Sequence, residues 1–223
     1  DFFTEEPAAS GRRKGNRPPR RYYLIVSEGT KTEPNYFEAI KSLLPPDMVK
    51  RVSIVGGQAD TLRLIERADD EIARRLKTTD PMFYHVWIVF DKDSFKDSDF
   101  DGAIDSLQKR NRSKKYGARW HAAWSNQAFE LWYLYHFEKQ CGGALDRASF
   151  QRRLSALMKG VLKTQHGYKK NSKHMFALLR PLLPTAMKNA AAVSRAWDKT
   201  RCAYHKRNPG TMVQELVKDL MLY

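Results

Sequence analysis

Val86-Trp87-Ile88-Val89-Phe90-Asp91-Lys92-Asp93 is the stretch on which the fold turns. Its first five residues are all apolar, and each is β-branched or aromatic. A run of that kind is expected of a strand buried on both faces, as in a parallel sheet. The run breaks at Asp91-Lys92-Asp93, so two carboxylates stand where the strand ends. Upstream, Tyr22-Tyr23-Leu24-Ile25-Val26 reads the same way and ends in Ser27-Glu28-Gly29. Val52-Ser53-Ile54-Val55 is a second strand, closed by Gly56-Gly57. Downstream, Arg119 to Trp124 reads as a fourth.

Helical segments separate these strands. Thr32, Glu33 and Pro34 look like a helix start, with a cap residue, an early acid and a proline in the first turn. That helix is expected to run to about Leu44 and stop at Pro45-Pro46. Thr61 is positioned to cap a second helix with Leu62, Ile65, Ile72 and Leu76 as its apolar positions. A third is expected near residues 98–110, with Phe100, Ile104 and Leu107, and a fourth over Gln127 to Phe137. Strands alternating with helices at this spacing predict an α/β fold with a mainly parallel sheet flanked by helices. After about residue 140 the pattern is helical throughout, with segments expected at 149–162, 172–182, 186–200 and 211–222. The domain reading is a basic, weakly ordered tail over 1–20, an α/β domain over 21–140, and a helical C-terminal region over 141–223. Whether that region forms a subdomain or packs on the sheet is open at this level.

In parallel α/β sheets, ligands bind beyond the carboxyl ends of the strands. Glu28, Asp91 and Asp93 all stand at such ends. Hard divalent cations take carboxylate oxygens together with several retained waters. Three acids at one rim supply the carboxylates, so Mg2+ (or Mn2+) is the expected cofactor. The bland alternative is that Asp91 and Asp93 are loop acids that make turns or cap the next helix.

The pattern of strand-Glu-Gly followed by strand-Asp-x-Asp resembles the TOPRIM domain of topoisomerases, primases and nucleases of the OLD type. It is closer still to the RloB-like proteins, a bacterial TOPRIM family that resembles the AbiLii component of abortive-infection systems. Three segments carry the likeness: Leu24 to Phe37, with its Glu-Gly-x-x-Thr-Glu-Pro-x-Tyr-Phe run; Val89 to Asp93; and Ser125 to Trp132. Asn208-Pro209-Gly210-Thr211 adds a weaker match. Gln127 stands where most relatives are expected to have proline. The resemblance implies a TOPRIM-like fold and a metal-dependent phosphodiester chemistry, with nuclease activity in anti-phage defence. It also implies a partner ATPase of the RloA type. On this reading Asp91 and Asp93 hold the ion, Glu28 is a further ligand or the general base, and Glu130 belongs to the same site with Asn126.

Charge points the same way. Residues 1–100 hold 17 basic and 17 acidic residues, and residues 101–223 hold 23 and 8. The whole formal net charge of +15 therefore lies in the second part, and nucleic acid is the expected partner. Candidate phosphate contacts are Lys31, then Arg110, Arg112, Lys114 and Lys115, then Lys169, Lys170 and Lys173. Tyr116, Trp120 and Tyr168 are interleaved among them, as stacking platforms or as core. An alternative to the nuclease is a nucleic-acid-binding or regulatory subunit with no chemistry of its own. Homo-oligomerisation is a further possibility that the residues leave open.

No apolar run approaches the ~18 residues a membrane span needs, so no membrane role is expected. Two cysteines, Cys141 and Cys202, fit free thiols in a reducing cytoplasm. Gly29-Thr30-Lys31-Thr32 lacks the glycines of a P-loop. Cys202-x-x-His205 is half a zinc motif without a second half, and Ser125 has no His-Asp pattern beside it.

Overall fold

The computed structural model describes residues 21–57, 61–93, 95–139 and 146–221. The 1–20 tail and Cys141 lie outside them. Four parallel strands follow the expected runs: β1 (Tyr23–Ser27), β2 (Val52–Gly56), β3 (His85–Asp91) and β4 (Arg119–Asn126). A fifth, β5 (Gly210–Thr211), joins antiparallel, and the sheet order is β2-β1-β3-β4-β5. The expectation of a mainly parallel α/β sheet flanked by helices holds.

Side-chain alternation along the central strands builds two cores. Tyr23 and Ile25 of β1, with Trp87 and Val89 of β3, face one side. Leu24 and Val26, with Val86, Ile88 and Phe90, face the other. On that second side lie α3 (Thr61–Leu76) and α4 (Asp97–Arg112), packing Leu64, Ile65, Ala68 and Ile72 beside Phe100, Ala103, Ile104 and Leu107. The apolar stripe expected of α3 holds at Ile65 and Ile72, whereas Leu62 and Leu76 are exposed. Those two sit at the helix ends, past the part that covers the sheet. Thr61 opens α3, but its side chain lies outside what is described.

The first side carries α1 (Thr32–Lys41), α5 (Glu130–Leu134), α6 (Arg147–Gly160), α7 (Met175–Leu179), α8 (Leu183–Asp198) and α9 (Val213–Met221). A single turn of helix, α2 (Pro46–Val49), begins where the chain was expected to leave helix. Proline is tolerated there because the first turn needs no backbone donor. The C-terminal helices contribute Phe150, Leu154, Phe176, Val193, Leu216 and Leu220 to the same core as β1 and β3. They are packed back on the sheet.

Two of the motif runs meet in this core. Tyr36 stands edge-on to Phe37, Phe129 and Phe176, and the Trp132 indole N–H donates to its hydroxyl at 2.8 Å. A buried indole and phenol satisfy each other, so the aromatic halves of both motifs are structural.

Candidate active site

The site is built from strand ends. The Glu28 amide donates to the Val89 carbonyl at 3.0 Å, which ties the first residue after β1 to β3. The Glu28 carboxylate then accepts from the Asp91 amide at 3.2 Å. Asp91 is the last residue of β3 and is buried. The chain turns at once: the Lys92 and Asp93 amides donate to the Ser125 and Gln127 carbonyls at 2.8 and 2.9 Å, and Asp93 takes φ +28°. Lys92 points away, pairing with Asp97 at 3.0 Å. Glu33 enters from the first turn of α1. Its carboxylate lies against the β1–α1 turn, where a Cβ on Gly29 would come within 1.7 Å of Glu33 Oε2. Only a residue without a side chain leaves that space.

Glu130 opens α5 and is buried. Its Oε1 accepts from Gln151 of α6 at 2.9 Å and from the Tyr168 hydroxyl at 3.1 Å. Helix α5 starts at Glu130, three residues later than expected, because Asn126 still belongs to β4. Asn126 therefore shares no helix face with Glu130; its amide donates to the His205 carbonyl at 2.8 Å.

Among the described residues, one cation pairs with these acids directly. Arg147, the first residue of α6, reaches Asp91 Oδ2 at 3.0 Å and Asp93 Oδ2 at 3.2 Å. It does not balance the cluster. Burial, with Glu33, Glu28 and Glu130 close by, pushes the Asp91 carboxyl well above its ordinary range. Burial also raises Glu28, and it lifts Glu33 to about 7. Glu33 Oε2 is buried and has no hydrogen-bond partner. Glu28, Glu33 and Asp91 line a cavity of about 390 Å3, with Lys31, Lys170 and Asn171 also in its wall. Asn171 pins that wall to α1: its side-chain oxygen accepts from Thr32 at 2.9 Å and its carbonyl from Asn35 at 2.9 Å.

Among the described residues, no group of three or more His, Cys, Asp or Glu side chains has the spacing of a ready-made metal site. The donor set is nevertheless all carboxylate, the chemistry of a hard divalent ion. The orphaned Glu33 oxygen and the crowding of like charges leave room for one more positive charge. In donor type and charge, the residues fit Mg2+ (or Mn2+).

A model of the RloB-like protein family matches residues 23–220. The chain belongs to the RloB-like family. No curated protein and no solved structure matched it. The family match therefore covers the sheet, the acid rim and the C-terminal helices together.

The expected basic residues divide. Lys31 and Lys170 stand at the acid cavity, with Lys169 and Lys173 exposed on the same segment. The other group lies elsewhere. Helix α4 starts beside the carboxyl end of β3 and runs back, so its last turn is at the opposite rim. There Arg110 and Lys115 pair with Asp69 at 2.6 and 3.2 Å, and Arg110 stacks on Trp120. Arg112 and Lys114 are exposed at that same far rim, away from the acids. Trp120 is core, Tyr116 is exposed at the far rim, and Tyr168 bonds Glu130. Cys202 is a free thiol, and His205 pairs with Asp101 at 2.6 Å, not with a metal motif.

A larger cavity, about 740 Å3, opens along the outer edge of β4. Its imidazoles, His85 and His121, lie 3.0 Å apart, and burial lowers both to about 4. They are neutral near pH 7, and this cavity holds none of the motif acids. The smaller cavity carries the motif acids Glu28, Glu33 and Asp91.

Reading the sequence did not single out Glu33 or Arg147 for the site. Glu33 had a signal, since it stands inside the Glu-Gly-x-x-Thr-Glu-Pro run. Arg147 had none, because it meets Asp91 from 56 positions away.

Proposed function

We propose that this RloB-like chain is a metal-dependent nuclease that hydrolyses phosphodiester bonds of DNA or RNA. The observation that carries the reading is a surplus of buried carboxylates at one rim, including one oxygen with no partner. Asp91 and Asp93 hold Mg2+ (or Mn2+), with Glu28 as a further ligand or as the base that takes a proton from attacking water. Glu33, placed at the same cavity, joins the ligand set. A bound divalent ion would polarise the phosphoryl oxygen and stabilise the leaving oxyanion. Lys31 and Lys170 contact backbone phosphates at the mouth, where cations displace condensed counterions. Tyr168 and Gln151 hold the Glu130 carboxylate in place. The family resemblance supports a role in anti-phage defence beside an RloA-like ATPase.

The test is cleavage of DNA and RNA with Mg2+ or Mn2+ by the wild-type chain and by the double variant E28A/D91A. Cleavage by the wild type that the double variant loses supports the reading; full residual cleavage in the variant defeats it. A second reading, a nucleic-acid-binding or regulatory subunit without chemistry, is favoured by one observation. Arg147 already pairs with Asp91 and Asp93, as in a structural ion pair. Salt-sensitive binding that needs no metal, with no turnover beside the partner ATPase, would select it.

A further inference from the structure

Arg147 is placed against its own helix. It is the first residue of α6, where the backbone dipole presents positive charge, and no acid stands in that first turn. The N-cap is filled by Asp146, whose carboxylate accepts from the Ser149 amide at 2.6 Å, so α6 does not need Arg147 to start. Its hydrogen bonding is also incomplete. Two guanidinium nitrogens reach Asp91 and Asp93, while the buried Nε has no partner. Charge therefore sets its position more than hydrogen-bond fit does. The side chain is one-third exposed, which leaves it a path outward.

We infer that Arg147 is a built-in counterion that a divalent cation must displace from between Asp91 and Asp93. This rests on the cation-binding reading of the same acids. While Arg147 bridges the two aspartates, its guanidinium occupies one oxygen of each, Asp91 Oδ2 and Asp93 Oδ2. The guanidinium and a divalent cation repel each other at so short a range, so metal binding and the Arg147 bridge compete for the same two carboxylates. The bridge keeps the acid rim folded without metal and sets a threshold on cation concentration.

The test is calorimetric titration of Mn2+ into the metal-stripped full chain, its R147Q variant and its R147K variant. Removing a competing charge-assisted pair is expected to tighten Mn2+ binding by about tenfold or more in R147Q. R147K keeps the charge and is expected to stay near the wild type. In the wild-type chain, the Arg147 side-chain 15Nε signal is expected to shift and saturate as Mg2+ is added. Equal or weaker Mn2+ binding by R147Q, or an Arg147 signal that ignores Mg2+ while the ion binds, overturns the inference and leaves the cation site standing. No Mn2+ binding by the wild type and R147Q alike overturns the cation reading itself.

Discussion

The two ends of the sheet handle charge in opposite ways. At the amino ends of the strands, one carboxylate, Asp69, meets two cations, Arg110 and Lys115. At the carboxyl ends, Glu28, Glu33, Asp91, Asp93 and Glu130 crowd together, and among the described residues Arg147 alone forms ion pairs with them. A carboxylate with its charge fully paired is what packing alone would favour, since unpaired buried charge is costly. An unbalanced cluster is kept against that cost, and such imbalance is concentrated at functional sites. The sequence places basic residues near both ends, and only their partners separate structure from chemistry.

The sharpest way to break the comparison is to remove one acid from each end. D91N is expected to cut Mg2+- or Mn2+-dependent cleavage by roughly a hundredfold or more, by loss of an ion ligand. D69N is expected to leave the rate unchanged. Equal losses in a cleavage time course would erase the distinction between the two ends.

A second effect is on stability without metal. Glu33 has a folded-state value of about 7 against 4.5 for the free side chain. Between those values the folded chain binds more protons than the unfolded one, so stability falls as pH rises through that window. The displacements of Asp91 and Glu28 run in the same direction. In EDTA, the melting temperature is therefore expected to fall from about pH 6.5 to pH 8, because below that range His85 and His121, held near 4 when folded, act in the opposite direction. E33Q removes Glu33's share, worth up to roughly 3 kcal/mol at pH 8, and flattens the profile. A melting temperature that rises across this range would mean the acids are already compensated.

A third effect tests the space between Gly29 and Glu33. G29A drives a methyl group into Glu33 Oε2, which must move. Overpacking of this kind costs about 1–3 kcal/mol, readable by urea denaturation. In G29A/E33A the clash is gone, and most of that cost is expected to return. No recovery in the double variant would place the strain elsewhere.

The smallest effect belongs to the balanced end. D69N leaves Arg110 and Lys115 without their acid, and partly buried pairs of this kind contribute on the order of 1 kcal/mol. Denaturation of D69N in low and high salt checks it, with a smaller difference from the wild type expected in high salt.

Strand β3 was legible because an uninterrupted β-branched and aromatic run carries its own meaning, and β1, β2 and β4 were legible as shorter, largely apolar segments between turns and helices. Strand β5 was not. Gly210 and Thr211 have no strand pattern, and they form one only by pairing with Asn126 and Ser125 at the end of β4. There the Ser125 and Thr211 hydroxyls meet at 2.9 Å. Helix α5 was expected over Gln127 to Phe137 and runs only from Glu130 to Leu134. Its aromatic residues look the same to a periodicity argument whether they sit in helix or in the turn before it. That Glu28, Asp91 and Asp93 stand at one rim was legible because each ends or follows a strand. Half of the basic candidates lie at the rim opposite the acids, and a count of lysines and arginines carries no information about which end of a helix faces which rim.

The order of residues along the chain determined by itself which side chains alternate across the central strands and which acids stand at the strand ends. Those are local consequences of backbone geometry, repeated every two residues. Only the tertiary structure decided that Glu33 is buried beside Glu28, that Lys115 belongs to Asp69, and that Arg147 sits between Asp91 and Asp93. Charge pairing acts through space over a few ångströms, and packing a helix such as α6 against α5 is what brings distant parts of the chain that close.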